Sequence, residues 1–124
     1  MSVCDALLDL PHYSISLMAY DAFAASLPVV TLPGRFKVER YMLGCYHKLG
    51  IHELIADSTE GYVRLALRLG AEADFRVSMQ ERIKETCPVL FEDRQAVRDF
   101  EHFAETAQPR HAILAQSGRS LTHL

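Results

Sequence analysis

Short apolar runs alternate with longer amphipathic segments along the chain. Residues 3–10 and 29–32 are nearly continuous apolar runs of the kind found in strands that are buried on both faces. Residues 17–26, which lie between these runs, have the apolar spacing of a helix and carry one acid, Asp21. A strand, a crossover helix and a second strand predict a right-handed βαβ unit with parallel strands.

The same pattern continues with fewer strands and more helices. Residues 35–49 predict a helix that Gly50 ends, residues 53–56 a third strand, and residues 59–69 a helix that Ser58 caps. Helices are also predicted over residues 73–86 and 93–107. The pattern therefore predicts an α/β fold with about three parallel strands, flanking helices and a helical C-terminus. We expect one domain over residues 1–107 and a flexible tail over residues 108–124.

Composition restricts the class of protein. The chain has 124 residues, enough for one core, with 49% hydrophobic and 23% charged residues. A formal charge of −3 without a basic stripe argues against nucleic-acid binding. No apolar run approaches the roughly 20 residues that span a bilayer, so we expect no membrane partner. Three widely spaced cysteines indicate reduced thiols and a cytoplasmic protein.

The loop between the first strand and the first helix is the candidate binding segment, because ligands of parallel sheets bind at the carboxyl ends of the strands. Ser14 and Ser16 stand before the helix, where a hydroxyl can cap free N–H groups or where the same groups can hold a phosphate. Asp21 could reach a ribose hydroxyl from one turn into the helix. The alternative is that the serines only cap and that Asp21 is a solvated acid. The loop has no glycine, which counts against tight phosphate binding.

Other residues give little chemistry. His52 and Glu53 begin like a zinc-protease motif, but Ala56 occupies the position of the second histidine, so we predict no metal site. Cys45 has the spacing of a core residue rather than a nucleophile. Arg40 could bind an anionic ligand, or it could be a surface residue without a ligand. No residue is assigned a catalytic role.

Several segments together resemble a known family. LDLP at residues 8–11, YDAFAASLPVVTLPGRF at 20–36, LGIHELIADSTEGYVRLALRLG at 49–70 and LFED with VRDFEHF within 90–103 resemble the C-terminal lobe of bacterial O-GlcNAc transferases. The resemblance covers residues 3–105. It implies half of a Rossmann-like GT-B lobe, a UDP-sugar donor such as UDP-GlcNAc, and transfer of the sugar to protein serine or threonine. It implies no further cofactor.

By position, the resemblance also implies a nucleotide-sugar site. Asp21 matches the family acid that contacts the ribose, and Arg40 matches a recurrent arginine after the VTLPG turn. The family's glycine-rich diphosphate segment falls on residues 14–19, where apolar side chains replace hydrogen-bond donors. The implied nucleotide-sugar-binding residues are Ser14, Ser16, Leu17, Met18, Asp21 and Arg40.

Two functions follow from this resemblance. The family's N-terminal lobe and the first strands of its C-terminal lobe have no counterpart in the sequence, so we expect a UDP-sugar-binding segment that is inactive alone. The alternative is a non-catalytic interaction or scaffold module with a degenerate nucleotide site. In either case the first strand has a bare edge, which predicts a homo-oligomer or a partner chain that docks there.

Overall fold

The structure is a computed structural model that describes residues 4–116, with side-chain surroundings given as far as Ala107. Within these residues the chain forms two units, one ending at Glu92 and the other beginning at Asp93. The described helices include none that is both long and apolar enough to cross a lipid bilayer.

The first unit contains the predicted βαβ arrangement. Strand β1 (Leu7–Leu8) pairs in parallel with strand β2 (Val29–Val30), and helix α1 (Met18–Ala24) connects them. The Asp9 N–H extends the ladder to the Val30 carbonyl at 2.9 Å. Both strands are shorter than the apolar runs that predict them.

The expected third strand is not confirmed. Residues 53–56 contribute one parallel bridge between Thr31 and Ile55. Next to this bridge, the Tyr46 hydroxyl donates to the Val29 carbonyl at 2.6 Å and accepts from the Val29 N–H at 2.9 Å. Because one side chain satisfies both main-chain groups, no third strand can bond to Val29 on the side away from β1.

The predicted helix over residues 35–49 is interrupted. A 3₁₀ turn, Lys37–Glu39, precedes helix α2 (Tyr41–Leu49), and Arg40 between them has φ −123°. The Glu39 carboxylate accepts from the Phe36 N–H at 2.8 Å, so the segment closes as a separate turn. Gly50 ends α2 in the left-handed region, φ 68°, as predicted.

Two helices complete the first unit. Helix α3 (Thr59–Ala71) begins at the predicted cap, because the Ser58 hydroxyl accepts from the Gly61 N–H at 3.1 Å. Helix α4 (Ala73–Thr86) leads into a 3₁₀ turn, Cys87–Leu90. The core of the unit consists of buried apolar side chains from β2, from these helices, from the turn Cys87–Leu90 and from the segments between them: Ala19, Ala22, Phe23, Leu27, Val29, Val30, Met42, Cys45, Tyr46, Leu49, Ile51, Leu54, Leu69, Met79, Ile83 and Leu90.

The second unit is helix α5 (Arg94–Gln116). The Asp93 carboxylate accepts from the Gln95 N–H at 3.1 Å at the start of this helix. The helical backbone continues beyond Ala107, where the sequence predicts its end. The flexibility predicted for residues 108–124 stays a prediction, and residues 117–124 lie outside the described residues.

Candidate functional site

A buried carboxylate organises the loop after β1. Asp9 is 1% exposed and accepts three hydrogen bonds. The Ile15 N–H lies 2.8 Å from Oδ1, and the hydroxyls of Ser14 and Thr31 lie 3.1 and 2.7 Å from Oδ2. These bonds hold the loop against β2, since Thr31 follows that strand directly.

Ser14 lies inside this network rather than on the surface of the loop. Its hydroxyl donates to Asp9 and accepts from the Met42 N–H at 3.3 Å. Met42 belongs to the first turn of α2, where main-chain N–H groups have no partner within the helix. Ser14 therefore caps α2 from a distance, and its side chain is fully buried.

The start of α1 differs from the sequence expectation. Neither Ser14 nor Ser16 caps this helix, because the N-cap residue is Leu17 and no side chain bonds to the first turn. The N–H groups of Met18 and Ala19 donate instead to the carbonyls of Ile15 and Ser16, at 3.1 and 3.0 Å. The expected row of free N–H groups is thus partly satisfied by the loop itself.

The next residues of the implied site face outward. Ser16 has φ 51°, a left-handed conformation that is uncommon for a residue other than glycine. Leu17 is 74% exposed and Met18 62% exposed, so neither side chain is packed against the rest of the loop.

Asp21 and Arg40 are also exposed. Among the described side chains, none pairs with the Asp21 carboxylate. Arg40 donates from Nη1 to the Gly34 carbonyl at 3.2 Å and so closes the turn that follows β2. Asp21 is therefore available to a ligand, whereas Arg40 already has a structural contact.

Two clefts lie at the carboxyl ends of the strands. The first, which we call the tyrosine cleft, has a volume of about 350 Å³ and is lined by Tyr13, Ser16, Lys37, Val38 and Tyr41. The second, the strand-end cleft, has a volume of about 440 Å³. The segments that follow β1, β2 and the Ile55 bridge line it, with Pro11, His12, Leu32, Pro33, Gly34, Arg35, Phe36, Glu39, Asp57, Ser58 and Thr59.

Of the residues that line the tyrosine cleft, only Ser16 is among the nucleotide-sugar-binding residues that the resemblance implies. The rule that ligands bind at strand ends applies to the turn after β2 as well as to the loop after β1. The break at Pro33 and Gly34 was the available signal, because it marks where that turn begins.

Local electrostatics keep Tyr41 protonated. A hydrogen bond with Tyr20, together with burial, raises the pKa of Tyr41 to about 12. The two rings meet edge to face at 6.5 Å, and Tyr20 meets Phe91 in the same way at 5.8 Å. The Tyr41 hydroxyl therefore keeps its proton to a higher pH than an unperturbed tyrosine does.

Two other candidate types of chemistry are a cysteine nucleophile and a metal site. Burial raises the pKa of the Cys45 thiol, and this cysteine lies in the core, as its spacing predicts. A buried thiol with a raised pKa is a poor nucleophile. Among residues 4–116, no three His, Cys, Asp or Glu side chains are grouped as metal ligands would be.

The chain is similar to O-GlcNAc transferases in both sequence and structure. The family model for glycosyl transferase family 41 matches residues 2–100. A UDP-N-acetylglucosamine–peptide N-acetylglucosaminyltransferase of Caenorhabditis elegans is 27% identical over 124 aligned positions, and the alignment covers 98% of this chain and 10% of that protein. A mutant O-GlcNAc transferase of Thermobaculum terrenum matches with a TM-score of 0.69 and 26% identity, over 86% of this chain and 20% of that chain.

A parallel βαβ unit with an ordered loop and clefts at its strand ends is the arrangement of an α/β ligand-binding lobe. Because the family model matches most of its length, the chain belongs to glycosyl transferase family 41. This confirms the resemblance read from the sequence. The chain spans 10% of the length of the curated relative and 20% of the solved chain.

Proposed function

We propose that this chain binds the UDP part of a UDP-sugar, such as UDP-GlcNAc, as part of a glycosyl transferase of family 41. Asp21 carries the proposal, because its exposed carboxylate has no partner among the described side chains. It stands at the position of the family acid that contacts the ribose. A carboxylate can accept hydrogen bonds from both hydroxyls of a ribose.

The surface in front of Asp21 supports this proposal. The side chains of Leu17 and Met18 point into solvent and leave the loop uncovered. These two residues stand where the family has diphosphate contacts, and neither can donate a hydrogen bond from its side chain. We therefore propose weak binding that depends mainly on the nucleoside.

We propose further that the chain is not an active transferase by itself. Sugar transfer needs stabilisation of charge on the leaving diphosphate and an oriented acceptor hydroxyl. The C. elegans relative is about ten times longer than the matched region, and the activity in its name is that of the whole protein. A Rossmann-like lobe and a cytoplasmic location belong to the same proposal.

Calorimetric titration with UDP and with UDP-GlcNAc tests the proposal. We expect the wild type to bind, Asp21→Asn to lose most of the affinity, and Glu85→Gln to bind like the wild type. Glu85 is a matched control because it is also an exposed helical carboxylate, on α4. Equal affinities of the Asp21→Asn variant and the wild type would refute the assignment.

A scaffold function is the second candidate, because apolar side chains have replaced donors at the diphosphate position. It predicts no heat with either ligand and a well-folded chain. Circular dichroism on the titrated sample separates this outcome from simple unfolding.

A further inference from the structure

The buried carboxylate of Asp9 is not explained by the proposed contacts with a nucleotide. Its exposure is 1%, so it touches no ligand directly. The three groups that donate to its carboxylate are the main-chain N–H of Ile15 and the hydroxyls of Ser14 and Thr31, and none of them is a cation. Burying a carboxylate is costly unless hydrogen bonds satisfy it, so an acid at this position needs a structural reason.

Asp9 joins four segments of the fold. Its N–H bonds to β2, and its carbonyl accepts from the Tyr62 hydroxyl of α3 at 2.7 Å. Its carboxylate holds Ser14 and Ile15 of the loop, and Ser14 in turn caps α2. The position of the loop therefore depends on contacts that all involve Asp9.

The direction of the hydrogen bonds explains why an acid is needed. All three partners donate to the carboxylate, which accepts on both oxygens. An amide has one accepting oxygen and a donating nitrogen, so asparagine would force the hydroxyls of Ser14 and Thr31 to turn around. At least one buried hydroxyl would then lose its acceptor.

The consequence reaches the residues of the proposed nucleotide site. Ile15 is the last residue fixed by Asp9, and Ser16 follows with its left-handed backbone. Helix α1 starts directly afterwards and carries Asp21. Any shift at residues 14–15 therefore changes where α1 begins and where the Asp21 carboxylate points.

We propose that Asp9 is a positioning residue of the nucleotide site: it holds Ser14 and Ile15 and thereby fixes Ser16 and Asp21 for binding. This inference rests on the proposed function. The loop lacks glycine, and the buried Asp9 carboxylate fixes its main chain by accepting a hydrogen bond from the Ile15 N–H.

The test compares Asp9→Asn with Tyr62→Phe. The second variant removes a hydrogen bond to the Asp9 carbonyl but leaves the carboxylate network intact. We expect Asp9→Asn to weaken UDP binding about tenfold and Tyr62→Phe to leave it nearly unchanged. Both are measured by calorimetry at a temperature where circular dichroism shows fully folded protein.

Amide hydrogen exchange supplies a second reading that does not depend on nucleotide binding. We expect Asp9→Asn to accelerate exchange at Ile15 and Met42, but not at Leu49 in the core. Equal loss of UDP affinity in both variants, or unchanged exchange at Ile15, would overturn the inference. If Asp9→Asn does not fold, Thr31→Val removes one of the three donors and takes its place.

The two proposals fail in different ways. A wild-type chain that binds no UDP refutes the proposed function and, with it, the nucleotide role of Asp9. The exchange rates then still decide whether Asp9 holds the loop. Normal UDP binding by the wild type and by Asp9→Asn would refute only the positioning role.

Discussion

The hydroxyl of Tyr46 provides a sharp test of how the small sheet is stabilised. Tyr46 and Val29 are fully buried, and the hydroxyl bonds to both the N–H and the carbonyl of Val29. Burial raises the pKa of Tyr46, so the hydroxyl is neutral and can donate. The variant Tyr46→Phe removes both bonds and leaves the ring in place.

The magnitude follows from the two main-chain groups left without a partner. Each buried unsatisfied group costs about 1–3 kcal/mol, so Tyr46→Phe should lower the free energy of unfolding by about 2–6 kcal/mol. Urea denaturation measures this loss as a lower midpoint with an unchanged slope.

Tyr62→Phe is the matched control, because it removes a single hydrogen bond from a partly buried hydroxyl. We expect it to cost about 1 kcal/mol. A Tyr46→Phe variant that loses less than this control would refute the view that the hydroxyl replaces a strand at Val29.

Two further predictions concern alkaline pH and self-association. The pKa of Tyr41 is raised from 10.0 to about 12 in the folded chain by the Tyr20 hydrogen bond and by burial. The folded state therefore keeps a proton that the unfolded state loses, so stability should fall as pH rises from 10 towards 12. Urea unfolding at several pH values checks this, and a fall that is just as steep in Tyr20→Phe would contradict it. The outer edge of β1, where Leu8 is 52% exposed and no described strand pairs, predicts association with a second copy. Light scattering should show a mass that rises with concentration and drops in Leu8→Lys; a constant monomer mass would contradict the prediction.

The parts of the fold that could be predicted depend on local pattern. Apolar runs indicated β1 and β2, and residues with strong local preferences marked the start of α3 at Ser58 and the end of α2 at Gly50. These signals depend only on neighbouring residues, so they can be interpreted without knowledge of the packing.

The parts that could not be predicted depend on contacts between distant residues. Asp9 reads as a lone acid after a strand, because one of its donors, Thr31, lies 22 residues further along the chain. The hydroxyl of Tyr46 reaches 17 residues back to Val29, so the sequence pattern could not reveal that it displaces a third strand. In the same way, the break at Arg40 follows from a turn closed by the Glu39 carboxylate.

The proposed function requires that a UDP moiety binds at the loop after β1. The most direct measurement is an NMR titration of the labelled chain with UDP, which reports each amide separately. We expect the largest shifts at Ser16, Leu17 and Asp21, and no shift at Ile83, which belongs to α4 and is buried in the core. Shifts that cluster elsewhere, or none at saturating UDP, would contradict it.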